Sequence, residues 1–362
     1  MQGYRRFSTV QQMSASVAAF VVLALVLESG GLLNWAQRLD LGPERTVALP
    51  AVMTLHRALA WTRIERARRY ELVELARIGW SDDPEALALV RAERRGAAKP
   101  SSAPVAVVPT AATTDAKPGL IPSIPKVKRE ARADDPPLLT ELPEIPAVEA
   151  GQKRTVALVG DSMMAVGLSS TLLREAPKYP DLVMDKAFKS GTGLARPEVF
   201  NWQTEYPAML GDAQPDVVVV AIGANDGQGF VEDGVTYPFG TAGWVRIYRA
   251  RVEAFLTMLE ANGATVVWMG LPPMKSDVYD ARIALVNRID YDVVSDSPHA
   301  IWYSTAGLVG DGSGKFQDFG VVRGETARLR QSDGIHLSDD GAVLVVAKLL
   351  PWLAAQQESS KQ

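Results

Sequence analysis

From Thr155 onward, short apolar runs alternate with helix-length segments, a pattern that restricts this part of the chain to a parallel sheet covered by helices on both faces. The runs are TVALV (155–159), LVMDKAF (182–188), DVVVVAI (216–222), TVVWMG (265–270) and HAIWYS (299–304). The third and fourth are apolar almost without interruption, which is the signature of strands buried on both sides. Helices are predicted between them over 163–175, 243–262 and 280–294, and Ser338 is placed to cap a last helix over 339–350. In such sheets a ligand sits beyond the C-terminal ends of the strands, so the turns that follow each strand carry the most information.

GDS follows the first strand, KSGTGLAR the second and GANDGQG the third, while SDGIHLSDDG shortly precedes the last helix. A serine between a strand and a helix, as Ser162 is, lies among unpaired backbone N–H groups that favour developing negative charge. The same position is also an ordinary helix start. Asn225 is equally ordinary in a turn, since asparagine tolerates left-handed geometry. Histidine narrows the choice, because the chain has three: His56, His299 and His336. His56 lies in the N-terminal region and His299 opens a strand, where packing explains it. His336 comes three residues after Asp333 in a turn that enters a helix. That spacing can bring a carboxylate to the imidazole Nδ1–H and leave Nε2 to accept a serine proton.

Other frameworks fail on inspection. With no cysteine there is no disulfide, no thiolate nucleophile and no cysteine metal site, and three scattered histidines do not make a transition-metal site. Met164 stands where a G-x-S-x-G elbow needs its closing glycine, Arg196 where a dinucleotide loop needs its third glycine, and Phe316 where a phosphate loop needs Ser or Thr. No metal and no cofactor is implied. A net charge of −4, with arginines interleaved among acids, gives no basic surface for nucleic acid.

Taken together, Gly160-Asp161-Ser162, the glycine turn at 191–193, Gly223-x-Asn225-Asp226 and Asp333-x-x-His336, in that order over 155–355, resemble the SGNH (GDSL-like) hydrolase superfamily. The resemblance implies an α/β chain with a flavodoxin-like three-layer α/β/α fold and a parallel sheet. It implies Ser162 as nucleophile, His336 as general base and Asp333 as its orienting carboxylate, with an oxyanion hole built from the Ser162 and Gly191 N–H groups and the Asn225 amide. Two departures stand out. The first block reads G-D-S-M, and KSGTGLAR lacks the commoner N-x-G opening, so Gly191 is the first choice of donor and Gly193 the reserve. Membrane-anchored relatives of this kind resemble enzymes that add or remove O-acyl groups on cell-envelope polysaccharides. The expected activity is therefore that of a serine esterase or O-acyltransferase on a carbohydrate O-acyl ester, acetyl above all. A non-catalytic polysaccharide-binding or assembly protein on the same fold, or a lipase- or thioesterase-type hydrolase, is the alternative. Segments 226–244 and 310–332, rich in glycine and aromatics, flank the expected site, and Arg328 and Arg330 are candidates to contact the substrate.

Phe7 to Leu27 is a run of 21 residues without a charge, preceded by Arg5 and Arg6 and closed by Glu28. That is the length a bilayer core requires. The arginine flank predicts a cytosolic N-terminus and export of all that follows, and the resemblance to envelope enzymes implies the periplasmic side of a bacterial inner membrane. A cleaved secretory signal with its apolar core at Val17–Leu27 is the other reading. The expected organisation is a cytoplasmic N-terminus and transmembrane anchor (1–35), a membrane-proximal helical segment (36–96), a disordered linker with ten prolines (97–150) and the catalytic domain (151–357). An exported domain has no cytosolic acyl-CoA, so acyl transfer would require a membrane-bound acyl-transfer protein as partner.

Overall fold

The computed structural model describes residues 43–59, 135–138, 142–148 and 151–354, with isolated positions elsewhere in the N-terminal region. The expected anchor at 7–27 and most of 36–134 lie outside the described residues. Among the described residues no helix is long and apolar enough to cross a membrane. Helix α1 (Pro43–Leu59) falls within the expected membrane-proximal segment, and its Arg45 lies 3.8 Å from the Glu198 carboxylate.

The elements then follow in order. Strand β1 (Arg154–Gly160) leads into α2 (Ser162–Ala165) and α3 (Leu168–Glu175), β2 (Leu182–Phe188) into α4 (Trp202–Leu210), and β3 (Val217–Ala221) into a hairpin of β4 (Phe230–Glu232) and β5 (Val235–Tyr237). After α5 (Ala242–Leu259) come β6 (Thr265–Gly270), α6 (Asp277–Ser295), β7 (Ala300–Ser304) and α7 (Ala306–Val309). A second hairpin, β8 (Phe319–Val322) and β9 (Glu325–Arg328), precedes the last helix, α8 (Asp339–Ala354).

The five expected strands form one sheet in the order β2-β1-β3-β6-β7, every pair parallel. This is the doubly wound order in which the chain turns back at β1 and β3, so the loops leaving those two strands part and open a crevice. The uninterrupted apolar run of β3 has its reason in the two cores. Val217 and Val219 enter one with Leu168 and Leu172 of α3 and Val345 and Leu349 of α8. Val218 and Val220 enter the other with Trp202 of α4, Phe255 of α5 and Ile289 of α6. All four valines are essentially inaccessible, and each contributes about 1.5–3 kcal/mol by burial.

Two differences from expectation are local. The helix predicted over 163–175 breaks at Gly167, whose φ of +76° is open to glycine and whose Cβ, if present, would lie 2.6 Å from the Leu337 carbonyl oxygen. The break brings the start of α3 against the segment that carries His336. The predicted linker, in turn, does not extend to 150 as a solvated chain. Ile145 is buried in the first core, the Trp352 indole N–H donates to Pro143 O at 2.8 Å, and Asp135 pairs with Arg288 at 2.9 Å. Its last residues form a strap on the domain.

Candidate active site

At its C-terminal end β1 is so close to β3 that a Cβ on Gly160 would sit 1.9 Å from the Ala221 carbonyl oxygen. The next residue, Asp161, is fully buried and caps α2, its Oδ1 accepting the Met163 N–H at 2.8 Å. Its Oδ2 accepts the N–H groups of Gly223 and Ala224 at 3.1 and 3.0 Å. One carboxylate thus joins the start of the serine helix to the turn after β3. Burial pushes the Asp161 carboxyl up to about 7, against the backbone donors that favour its charged form.

Ser162, half-buried in the first turn of α2, has its Oγ 2.8 Å from His336 Nε2, and His336 Nδ1 lies 2.7 Å from Asp333 Oδ2. The other Asp333 oxygen accepts the N–H groups of Ile335 and His336 at 2.8 and 3.1 Å, so the spacing of three residues closes a tight turn around the carboxylate. Partial burial acts to raise the Asp333 pKa, yet the His336 ring and these two N–H groups hold it below the ordinary value. Beyond this turn Ser338 caps α8, its Oγ accepting the Gly341 N–H at 3.0 Å. Neither His56 nor His299 takes part in the arrangement.

Arg330, expected to meet substrate, lies instead beneath the histidine turn and is completely buried. Its guanidinium donates to Pro273 O at 2.6 Å and to Ile335 O, and stacks over the Phe316 ring at 5.1 Å. Burial lowers its pKa to about 10, with Asp333, Asp280 and Asp318 acting in the opposite direction. One of the carbonyls that hold it, Pro273 O, comes from a distant segment and the other, Ile335 O, from the turn five residues on, so nothing within TARLRQS marks it as interior. Arg328 is exposed, 3.8 Å from the Asp318 carboxylate.

The oxyanion candidates also cluster. Neither the Ser162 nor the Gly191 N–H donates to an acceptor among the described residues. The Asn225 amide lies across the crevice, donating to Thr192 O at 2.8 Å and more weakly to Asp161 Oδ2 at 3.3 Å. An amide has two protons, so one is committed to Thr192 and the other is held by a long contact it can exchange. Gly191 has a φ of +71°, and Gly193 packs so tightly on Asp226 that a Cβ would fall 2.1 Å from its Oδ1.

Several residues that sequence reasoning passed over hold this arrangement. Asp226 is buried and accepts the N–H groups of Leu194 and Ala195 at 2.9 and 2.8 Å, fixing the turn after β2 to the turn after β3. Burial raises its pKa. Tyr279, at the start of α6, donates its hydroxyl to Ala224 O, and burial followed by the nearby carboxylates keeps that hydroxyl protonated. Asp226 was visible as the neighbour of Asn225, whereas Tyr279 had no local signal. A cavity of about 40 Å³ is lined by Gly191 and Asn225 together with the buried Arg196 and the half-buried Gln228.

No curated protein matches the chain. Among solved structures, TesA is similar at 21% identity over 56% of this chain and 99% of that one, with a TM-score of 0.38. A carbohydrate esterase family 3 protein from Talaromyces cellulolyticus is similar at 15% identity over 55% and 96%, TM-score 0.39. Axe2, an acetylxylan esterase from Geobacillus stearothermophilus, is similar at 14% identity over 57% and 96%, TM-score 0.39. The profile of one protein family matches residues 155–352, more than half of the chain and the whole of the sheet from β1's second residue onward, and the chain therefore belongs to that family, described as "Protein of unknown function (DUF459)".

Proposed function

We propose that the chain is an extracytoplasmic serine esterase or O-acyltransferase that acts on O-acyl, chiefly acetyl, esters of cell-envelope polysaccharide through an acyl-serine intermediate. The observation that carries the catalytic part is the continuous hydrogen-bonded series from Ser162 Oγ through His336 to Asp333, at 2.8 and 2.7 Å. His336 Nε2 takes the serine proton as Oγ attacks the ester carbonyl, and Asp333 holds the ring in the tautomer this requires. The tetrahedral oxyanion is met by the Ser162 and Gly191 N–H groups and the second proton of the Asn225 amide. His336 then protonates the leaving alcohol. Water, or a sugar hydroxyl in the transfer reaction, attacks the acyl-serine by the same route in reverse.

The cavity of about 40 Å³ beside Gly191 and Asn225 holds only one or two groups of the size of water, which favours a short acyl group over a long one. Support for an envelope location is the uncharged run at 7–27 behind Arg5 and Arg6. On the same fold a non-catalytic polysaccharide-binding protein would have no need of a proton-accepting histidine aligned on a serine. The test is labelling of the full chain by an active-site-directed fluorophosphonate. Labelling that is lost in Ser162→Ala is expected, and a folded protein that takes no label would remove the enzyme reading in favour of the scaffold.

A further inference from the structure

A groove of about 400 Å³ between α4, α5 and the β4–β5 hairpin is used by none of the chemistry above. Gly193 lines both this groove and the small cavity beside Gly191 and Asn225, so the two adjoin along the turn after β2. Phe200, Ile247 and Ala250 give the groove apolar walls, and Trp202, which also lines it, has its indole N–H buried with no acceptor among the described residues. Its polar lining is Asn201, Gln203, Arg246 and the paired Glu232 and Arg251.

The arginines of α5 separate by role. Arg251 is committed to Glu232 at 2.7 Å and to the Phe230 ring, and Arg249 to Asp292 at 2.7 Å. Arg246 is exposed at the groove and has no carboxylate partner among the described residues. An apolar wall with an aromatic ring suits the C–H face of a sugar, amides suit its hydroxyls, and an uncommitted guanidinium suits a carboxylate. We propose that this groove is a subsite for an acidic sugar unit of the substrate chain, with its ring against Phe200 and its carboxylate on Arg246. The inference rests on the reading of the protein as a polysaccharide O-acyl esterase or transferase and narrows the polymer to one that carries uronic acids.

The test uses the full chain in detergent, as Ser162→Ala so that nothing turns over, titrated calorimetrically with a galacturonic acid trisaccharide and with the neutral galactose trisaccharide. The acidic ligand should bind more tightly, and Arg246→Gln should weaken it roughly 10–100-fold, the usual loss for a charged hydrogen bond, while leaving the neutral ligand unchanged. In parallel, Arg246→Gln alone should cleave a small activated acetate ester at the parental rate. Equal binding of the two trisaccharides, or an Arg246→Gln affinity equal to that of the parent, overturns the subsite. Faster cleavage of a hexanoyl than an acetyl ester, with the acidic ligand ignored, assigns the groove to an acyl chain and overturns it as well. Loss of small-ester cleavage in the parental protein would strike the esterase reading instead, a result the binding arm keeps separate.

Discussion

Asn225 and Asp161 share one hydrogen bond, and the division of labour between them sets the residue-scale expectations. Because the oxyanion exists only in the transition state, Asn225→Ala should lower kcat roughly 10²–10³-fold with little change in KM. Steady-state kinetics on a small acetate ester checks this, and a variant that loses affinity but keeps turnover would make Asn225 a ground-state contact. The residues proposed to carry the bond-making chemistry were legible because each sits in a short pattern whose spacing is itself the geometry. Asp333 and His336 meet through a turn of three residues, and Ser162 comes one residue after a strand. Asp161, by contrast, reads as a simple cap, and its second role needs Gly223 and Ala224, which only the β1–β3 pairing brings within 3.1 and 3.0 Å. Arg330 was misread for a related reason, since a charged residue near a site is normally solvated and its burial depends on carbonyls of Pro273 and Ile335 converging on it. Arg330→Met should therefore lower the melting temperature, by an amount corresponding to about 2–4 kcal/mol for two orphaned carbonyls, and reduce kcat with KM nearly unchanged. A raised KM at parental stability would restore the substrate-contact role.

Helix α6 shows how an element can support a site without reaching it. It places Tyr279 against Ala224 and Asp290 under Gly223, where a Gly223 Cβ would come within 3.7 Å of the Asp290 carboxylate. Among the described residues neither Asp290 oxygen nor the Trp268 indole N–H, all buried, has a hydrogen bond of ordinary geometry, and burial, with the Asp226 charge adding to it, raises the Asp290 pKa well above the usual carboxylate range. The sign of the pH effect follows. A raised folded-state pKa gives a stabilising contribution that is complete below the unfolded value near about 3.9 and declines as the pH rises toward the folded one. Asp290→Asn cannot ionise, so it should match the parent at pH 4 and exceed it at pH 8 in denaturant titrations. Equal differences at both pH values would show that Asp290 is not the titrating group. At this scale the five strands and the long helices were legible from apolar periodicity, whose two-sided burial in β3 leaves no polar interruption. The two hairpins were not, because strands of three and four residues are too short to establish a period. Nor was α4, where Pro207 lies inside the helix and masks it.

For the whole molecule the consequential feature is the strap formed by 135–138 and 142–148. Arg154, at the start of β1, is buried and donates to Leu353 O at 2.8 Å and to Pro146 O at 2.7 Å, so the strap closes over the N-terminal end of the sheet. A fragment that starts at Gly151 removes Ile145 from the core, at a cost of about 1.5–3 kcal/mol in burial, and leaves the Arg154 guanidinium one acceptor short. A fragment that starts at Asp134 keeps both. The longer fragment should melt at the higher temperature, and both should cleave small esters, since every residue of the proposed site lies downstream. Equal melting temperatures would mean that the strap docks without stabilising the domain. The longer fragment also tests whether the uncharged run at 7–27 serves as an anchor. If acyl transfer draws on a membrane-bound donor protein, tethering at 7–27 raises the effective concentration of enzyme at that donor. The fragment from Asp134, exported without its anchor, should then stay active on small esters yet fail to restore the polymer's ester content in cells that lack the full-length protein. Lower ester content in the deletion strain supports transfer, and higher content supports de-esterification. Full restoration by the untethered fragment would remove the need for a membrane-bound donor, and ester content unchanged across deletion, full-length and fragment strains would count against envelope polysaccharide as the substrate.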